Sequence, residues 1–73
     1  MKYFEFTYVE TKNKEIINQG TAVYYSSAGQ NSDEMKNFAK KILKNPAAIV
    51  SLPLITEIDY DTFIRKGGNP KIQ

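Results

Sequence analysis

The stretch Lys2–Glu10, KYFEFTYVE, decides the fold, because its residues alternate with a period of two. Phe4, Phe6 and Tyr8 all fall on one side of this alternation, so their side chains leave the same face of an extended chain. Such a period is typical of a β-strand that buries one face. We therefore predict a first strand here, with its phenylalanine face turned toward the core.

A hairpin is predicted directly after this strand. Residues 11–14 form a polar turn, and Glu15–Ser26 (EIINQGTAVYYS) has the composition of a returning strand. Gly20 within the second strand indicates a bulge or a bend, since glycine has no side chain to pack in a sheet.

An amphipathic helix is predicted after the hairpin. Asn31 or Ser32 can cap its N-terminus, and Asn31 with Glu34 has the spacing of a capping box. Pro46 ends the helix, because proline disfavours the helical conformation of the residue before it. The apolar face of this helix consists of Met35, Phe38, Ala39, Ile42 and Leu43.

A third strand is predicted over Ala47–Glu57 (AAIVSLPLITE), which is apolar and rich in β-branched residues. Pro53 lacks the N–H that a central strand donates, so this strand lies at an edge or contains a bulge. Asp59 can cap a short helical turn over Tyr60–Ile64. The predicted fold is thus α+β in the order ββαβ: a three-stranded antiparallel sheet of order 2-1-3, one helix on one face and a C-terminal helical turn.

The length of 73 residues supports one domain, because so short a chain cannot bury two cores. We expect this domain to cover residues 1–66 and the segment 67–73 to be a flexible tail. The predicted core consists of Phe4, Phe6, Tyr8, Val23, Met35, Phe38, Ile42, Leu52 and Leu54.

The composition excludes most catalytic chemistry. The chain has no His and no Cys, which removes the usual general base near neutral pH, the thiol nucleophile and the preferred zinc ligands. Its serines would need a lysine as their base. We therefore expect a protein that is not an enzyme, with no catalytic residue, no cofactor and no evident small-molecule substrate.

Two segments carry part of a ligand-binding pattern. Glu57, Asp59 and Asp61 alternate like the first ligands of a calcium loop, but Thr62 stands where that loop needs glycine. The loop 26–32 precedes a helix N-terminus but lacks the Gly-Lys pair of a phosphate loop. We expect a helix cap at Asp59, an ordinary connection at the loop and no metal site.

Charge and hydropathy bear on the partners and the cellular location that we expect for the chain. Ten basic and eight acidic residues give a net charge of +2, which by itself identifies no partner. No apolar run approaches the ~20 residues of a membrane span, and the start of the chain is charged rather than signal-like. We expect a cytoplasmic protein that does not bind a membrane.

One candidate binding surface lies on the predicted helix. Lys36, Lys40 and Lys44 recur at every fourth residue with Lys41 beside them, and such a ridge can neutralise phosphates. A charged stripe is also the ordinary solvated side of an amphipathic helix. Nucleic-acid binding through these four lysines is therefore the alternative function.

The other candidate surface is the sheet face that a single helix leaves uncovered. Apolar and aromatic groups on an open face mark a partner or self-association surface, although scattered apolar residues are also normal on small domains. We expect a non-enzymatic protein-interaction module that binds a protein partner or a second copy through this face. The expected contact residues are Tyr3, Val9, Tyr24, Ile49, Pro53 and Ile55.

The helix sequence SDEMKNFAKKILKN (32–45) and the following AAIVSLPLITEIDYDTFI (47–64) resemble short ββαβ proteins of bacterial prophages and conjugative elements. Those proteins end in a similar strand and acidic-aromatic turn. The resemblance implies an accessory protein of a bacterial mobile element, and it assigns no functional residue.

Overall fold

The computed structural model describes residues 1–68, which form three antiparallel strands and two helices. The elements in chain order are β1 (Lys2–Lys12), β2 (Glu15–Ser26), α1 (Ser32–Leu43), β3 (Ile49–Ile58) and α2 (Tyr60–Arg65). β1 lies between β2 and β3 and pairs with both. The predicted α+β fold, with its antiparallel order 2-1-3 and one main helix on the sheet, is confirmed.

The main core lies between α1 and the face of β1 that carries the phenylalanines. Phe4 and Phe6 are buried there, and Met35 and Ala39 of α1 are fully buried with them. Each large apolar side chain removed from water contributes roughly 1.5–3 kcal/mol to stability. The complete cluster of buried residues is Phe4, Phe6, Met35, Ala39, Ala48 and Val50.

Both ends of α1 are capped locally. The Asn31 side chain accepts a hydrogen bond from the Glu34 N–H at 3.1 Å, which confirms the predicted N-cap. Lys44 adopts the left-handed conformation with φ 57°, and the Asn45 N–H then donates to the Lys40 carbonyl at 3.1 Å. The helix therefore ends just before Pro46, where the sequence places its end.

A second layer lies on the opposite face of the sheet, at the end where β1 begins. Phe63 of α2 is fully buried, and its ring centroid lies 4.9 Å from that of Tyr3 and 6.0 Å from that of Tyr25. The Lys66 Nζ atom lies 2.8 Å from Glu5 Oε2. Two helices therefore cover this end of the sheet from both sides, whereas the sequence predicted α2 only as a terminal turn.

Gly68 closes α2. Its N–H donates to the Phe63 carbonyl at 2.9 Å, and the preceding Gly67 donates to the Ile64 carbonyl at 3.0 Å. A Cβ at Gly68 would lie 2.5 Å from the buried Phe63 ring, so a side chain there would force the packing apart. The rest of the predicted tail, residues 69–73, lies outside the described residues.

A β-bulge at Pro53 changes which side chains of β3 face the core. Thr7 pairs with Leu54 and Val9 with Ser51, so β3 has one residue more than β1 between these pairs. Because side chains alternate along a strand, the extra residue turns Leu54 to the outer face, where it is 60% exposed. The prediction of Leu54 as a core residue is wrong for this reason.

Gly20 has a different role from the one predicted. It pairs with Tyr8, and a Cβ at Gly20 would lie 2.6 Å from the Tyr8 hydroxyl. The glycine therefore makes room for the tyrosine ring. The irregularity in the β1–β2 ladder lies instead between Glu10 and Thr11.

The buried stripe of α1 follows i, i+4 spacing through Met35, Ala39 and Leu43. Ile42 lies at the flank of this stripe and is 42% exposed, so its prediction as a core residue is wrong. Of the other predicted core residues, four are buried and three are partly buried. The buried ones are Phe4, Phe6, Val23 and Met35, and Tyr8, Phe38 and Leu52 are partly buried.

Truncation of Phe6 and of Ile42 distinguishes the observed core from the predicted one. Phe6→Ala should lower the free energy of unfolding by about 3–5 kcal/mol, because Phe6 is 1% exposed. Ile42→Ala should change it by about 1 kcal/mol or less, since half-exposed positions lose little and alanine favours the helix. Urea unfolding followed by circular dichroism measures both; equal losses would contradict this packing of α1.

Candidate binding surfaces

Two of the six predicted contact residues lie on the sheet face opposite to the predicted one. Tyr24 pairs with Phe4, and Ile55 pairs with Phe6. Residues directly opposite each other in a sheet share a face. Tyr24 and Ile55 therefore face α1 and pack against the core, and the prediction that they lie on the open face is wrong.

Tyr3 lies on the outer face as predicted, but α2 covers it. Its ring centroid is 5.3 Å from that of Tyr60 and 4.9 Å from that of Phe63. Such edge-to-face and tilted ring contacts stabilise the docking of a helix beyond the area that they bury. Tyr3 therefore holds α2 on the sheet, and its expected role as a partner contact does not fit this position.

Among residues 1–68, the strand positions on the uncovered part of the outer face carry no charged side chain. Val9 and Ile49 belong to it, and Ile49 is 69% exposed. Pro53 is exposed at the β3 bulge, where it has no partner in the β1–β3 register, and it lies outside this set. Leu54 and Ile16 also belong to this surface, although the sequence analysis did not assign them to it. We call this surface the open half; it consists of Thr7, Val9, Thr11, Ile16, Gln19, Thr21, Ile49, Ser51 and Leu54.

Tyr24 joins β2 to the first turn of α1. Its hydroxyl donates to Glu34 Oε2 at 2.6 Å, and its ring lies 5.8 Å from that of Phe38. Burial, together with the hydrogen bond to Glu34 and the negative charge of Glu34, raises the pKa of Tyr24 to about 12. Tyr24 therefore has a structural role on the helix face.

Three of the four ridge lysines border one depression at the end of α1. Lys40, Lys41 and Lys44 line a cavity of about 550 Å³. Asn37, Asn45 and Pro46 complete its walls, and Lys36 is not part of the lining. The structure thus separates the predicted ridge into a group of three lysines around a concave surface and one lysine outside it.

A second depression adjoins the first at Asn45. It has a volume of about 320 Å³, and Lys12, Asn45 and Ile49 are among the residues that line it. Asn45 lines both depressions. Lys12 therefore lines a depression that shares Asn45 with the one lined by the helix lysines, a relation that no sequence spacing indicates.

Glu10 fixes the end of α1 to the sheet. It is the buried charged residue of the described chain, at 4% exposure. Its carboxylate accepts hydrogen bonds from Asn18 Nδ2 at 2.7 Å and from Asn45 Nδ2 at 3.3 Å. Because a buried carboxylate needs such donors, these two amides are required at this point.

The ion pairs between described residues lie at the opposite end of the sheet. Lys2 Nζ is 3.7 Å from Glu57 Oε1, and Lys66 pairs with Glu5. None of the lysines that line the two depressions has a carboxylate partner within residues 1–68.

Asp59 acts as the N-cap of α2. Asp59 Oδ1 accepts the Thr62 N–H at 2.7 Å, which confirms the predicted cap. Hydrogen bonding by the Thr62 side chain, and then by its N–H, holds the pKa of Asp59 below its usual value. Within residues 1–68, no three His, Cys, Asp or Glu side chains stand close enough together to hold a metal ion. The same residues contain no helix of the length and hydrophobicity that a bilayer crossing requires.

Comparison of the chain with protein-family models, with curated proteins and with solved structures finds no match in any of the three.

The ionisation of Tyr24 tests its burial against α1. In an absorbance titration, one tyrosine should ionise near pH 12 rather than near 10, and Tyr24→Phe should remove that late step. Glu34→Gln should lower this pKa only in part, because burial is the larger cause. Since the folded pKa is the raised one, the contribution of Tyr24 to stability is complete below about pH 10 and is lost as the pH rises through about 12. A titration unchanged by Tyr24→Phe would contradict this assignment.

Proposed function

We propose that the protein is a non-enzymatic interaction module that binds another protein surface through the open half, and that its first partner is a second copy of the chain. The observation that carries this proposal is the uncharged character of the open half, in which Leu54 and Ile49 are 60% and 69% exposed. In a chain of which 25% is charged, nine neighbouring uncharged residues on one sheet face form a distinct surface.

The energetics of a small domain support self-association. A chain of 73 residues builds a core that rarely supplies more than ~3–5 kcal/mol. Apolar surface removed from water contributes about 25 cal/mol per Å², so covering the open half would add to this margin. Two copies of an uncharged surface also meet without like-charge repulsion.

The position of α2 restricts how two copies can meet. Sheets pack face to face about 10 Å apart, and α2 occupies that space over Tyr3 at one end of the outer face. In an aligned packing, two open halves can therefore meet only if the strands of the two copies run in opposite directions. Each α2 then lies beyond the β1–β2 turn of the other copy, and the dimer is a symmetric sandwich with α1 on its outside.

The size of the open half predicts a weak dimer. Three strands spaced about 4.8 Å apart and five residues of about 3.4 Å each span roughly 240 Å² of sheet. A stable interface buries about 800 Å² per partner. We therefore expect a reversible association that depends on protein concentration.

We propose further that this module is a cytoplasmic accessory protein of a bacterial mobile element. Support for this role comes from the resemblance of residues 32–45 and 47–64 to small prophage and conjugative-element proteins. The absence of cysteine in the whole chain is compatible with a reducing compartment.

Two substitutions, each of which adds one positive charge, test the open half. Leu54→Lys should abolish self-association, because it places an unpaired charge on the proposed contact surface. Ile42→Lys is the matched control, since Ile42 is also exposed but lies on α1. Sedimentation equilibrium over a concentration series should show association of the wild type and of Ile42→Lys, and a monomer for Leu54→Lys. A wild type that stays monomeric at the highest concentration, or two variants that behave alike, would exclude this interface.

A further inference from the structure

The end of the molecule that contains the β1–β2 turn and the end of α1 has an unusual concentration of positive charge. Lys40, Lys41 and Lys44 line the larger depression, and Lys12 lines the smaller one. The two depressions meet at Asn45. We call this combined surface the basic cleft.

The backbone that carries these lysines is held in place. The Asn45 amide donates to the buried Glu10 carboxylate, and the Asn45 N–H donates to the Lys40 carbonyl. Lys44 is fixed in the left-handed conformation between them. The Cα positions of the cleft lysines are thus set by the sheet, while their ammonium groups remain free to reach a ligand.

The acidic group that lines the cleft does not compete for these lysines. Glu10 is 4% exposed, and its two carboxylate oxygens accept hydrogen bonds from Asn18 and Asn45. The ion-paired lysines of the described chain lie at the other end of the sheet. Four lysines therefore line two adjoining depressions without forming an ion pair within residues 1–68, and the net charge of +2 conceals this separation.

We propose that the basic cleft binds the phosphate backbone of a nucleic acid. Four lysines spread over two adjoining depressions match several consecutive phosphates better than a single phosphate group. The residues that line the cleft include no arginine for bidentate base contacts and no aromatic ring for stacking. The binding is therefore independent of the nucleotide sequence. Lys12 takes part in it, whereas Lys36 does not.

Binding of fluorescently labelled mixed-sequence oligonucleotides, measured by anisotropy, tests this proposal. Counterion release from four phosphate contacts predicts that affinity falls about 50- to 150-fold between about 50 and 200 mM salt, the smaller factor for single strands. Lys40→Gln/Lys44→Gln should lower affinity at low salt about tenfold and remove about half of the salt dependence. Both lysines lie outside the open half, so loss of self-association would not imitate this result.

Three further measurements make the assignment specific. Lys12→Gln should weaken binding about as much as Lys44→Gln, whereas Lys36→Gln, on the same helix as Lys44 but outside the cleft, should change affinity less than about twofold.

Parallel titrations with single-stranded DNA, duplex DNA and RNA identify which backbone is bound, and phosphatidylserine vesicles test a lipid surface instead. No binding to any nucleic acid at low salt, binding to vesicles alone, or an equal loss in Lys36→Gln would overturn the proposal. Thermal melts of each variant confirm that it is folded.

Discussion

The central position of β1 is the constraint on which the rest of the structure depends. β1 pairs with both other strands, and its side chains alternate, so one strand supplies the middle of two opposite surfaces. Phe4 and Phe6 anchor α1 on one face, while Tyr3 anchors α2 on the other. A shift of β1 by one residue would exchange the two sets of side chains and destroy both layers at once.

The short length of α2 relative to β1 explains why only part of the outer face is covered. The six residues of α2 span about 9 Å, whereas the eleven residues of β1 span about 37 Å. α2 therefore covers the start of β1, and Val9 and Thr11 remain outside its reach. The open half results from this difference in length, and the bulge at Pro53 adds Leu54 to it.

The two proposed binding surfaces meet at the β1–β2 turn. Thr11 and Ile49 belong to the open half and also line the smaller depression of the basic cleft. Glu10 lies beneath this junction and, through Asn45, sets the distance between α1 and the sheet. A buried carboxylate needs hydrogen-bond donors, so Asn45 must stay beside Glu10. The position of Asn45 in turn sets the shape of the cleft, because Asn45 lines both depressions.

The sequence by itself determined the element order, the antiparallel topology, the central strand and the ends of α1. These features depend on local properties: the period of two in β1, the cap at Asn31 and the missing N–H of Pro53. Tertiary structure decided which residues face which layer. The bulge reversed the sides of Leu54 and Ile55, α2 returned to cover Tyr3, and the fold placed the depression lined by Lys12 beside the one lined by the lysines of α1. Strand register and the docking of a short helix depend on contacts between distant segments, and no local pattern encodes such contacts.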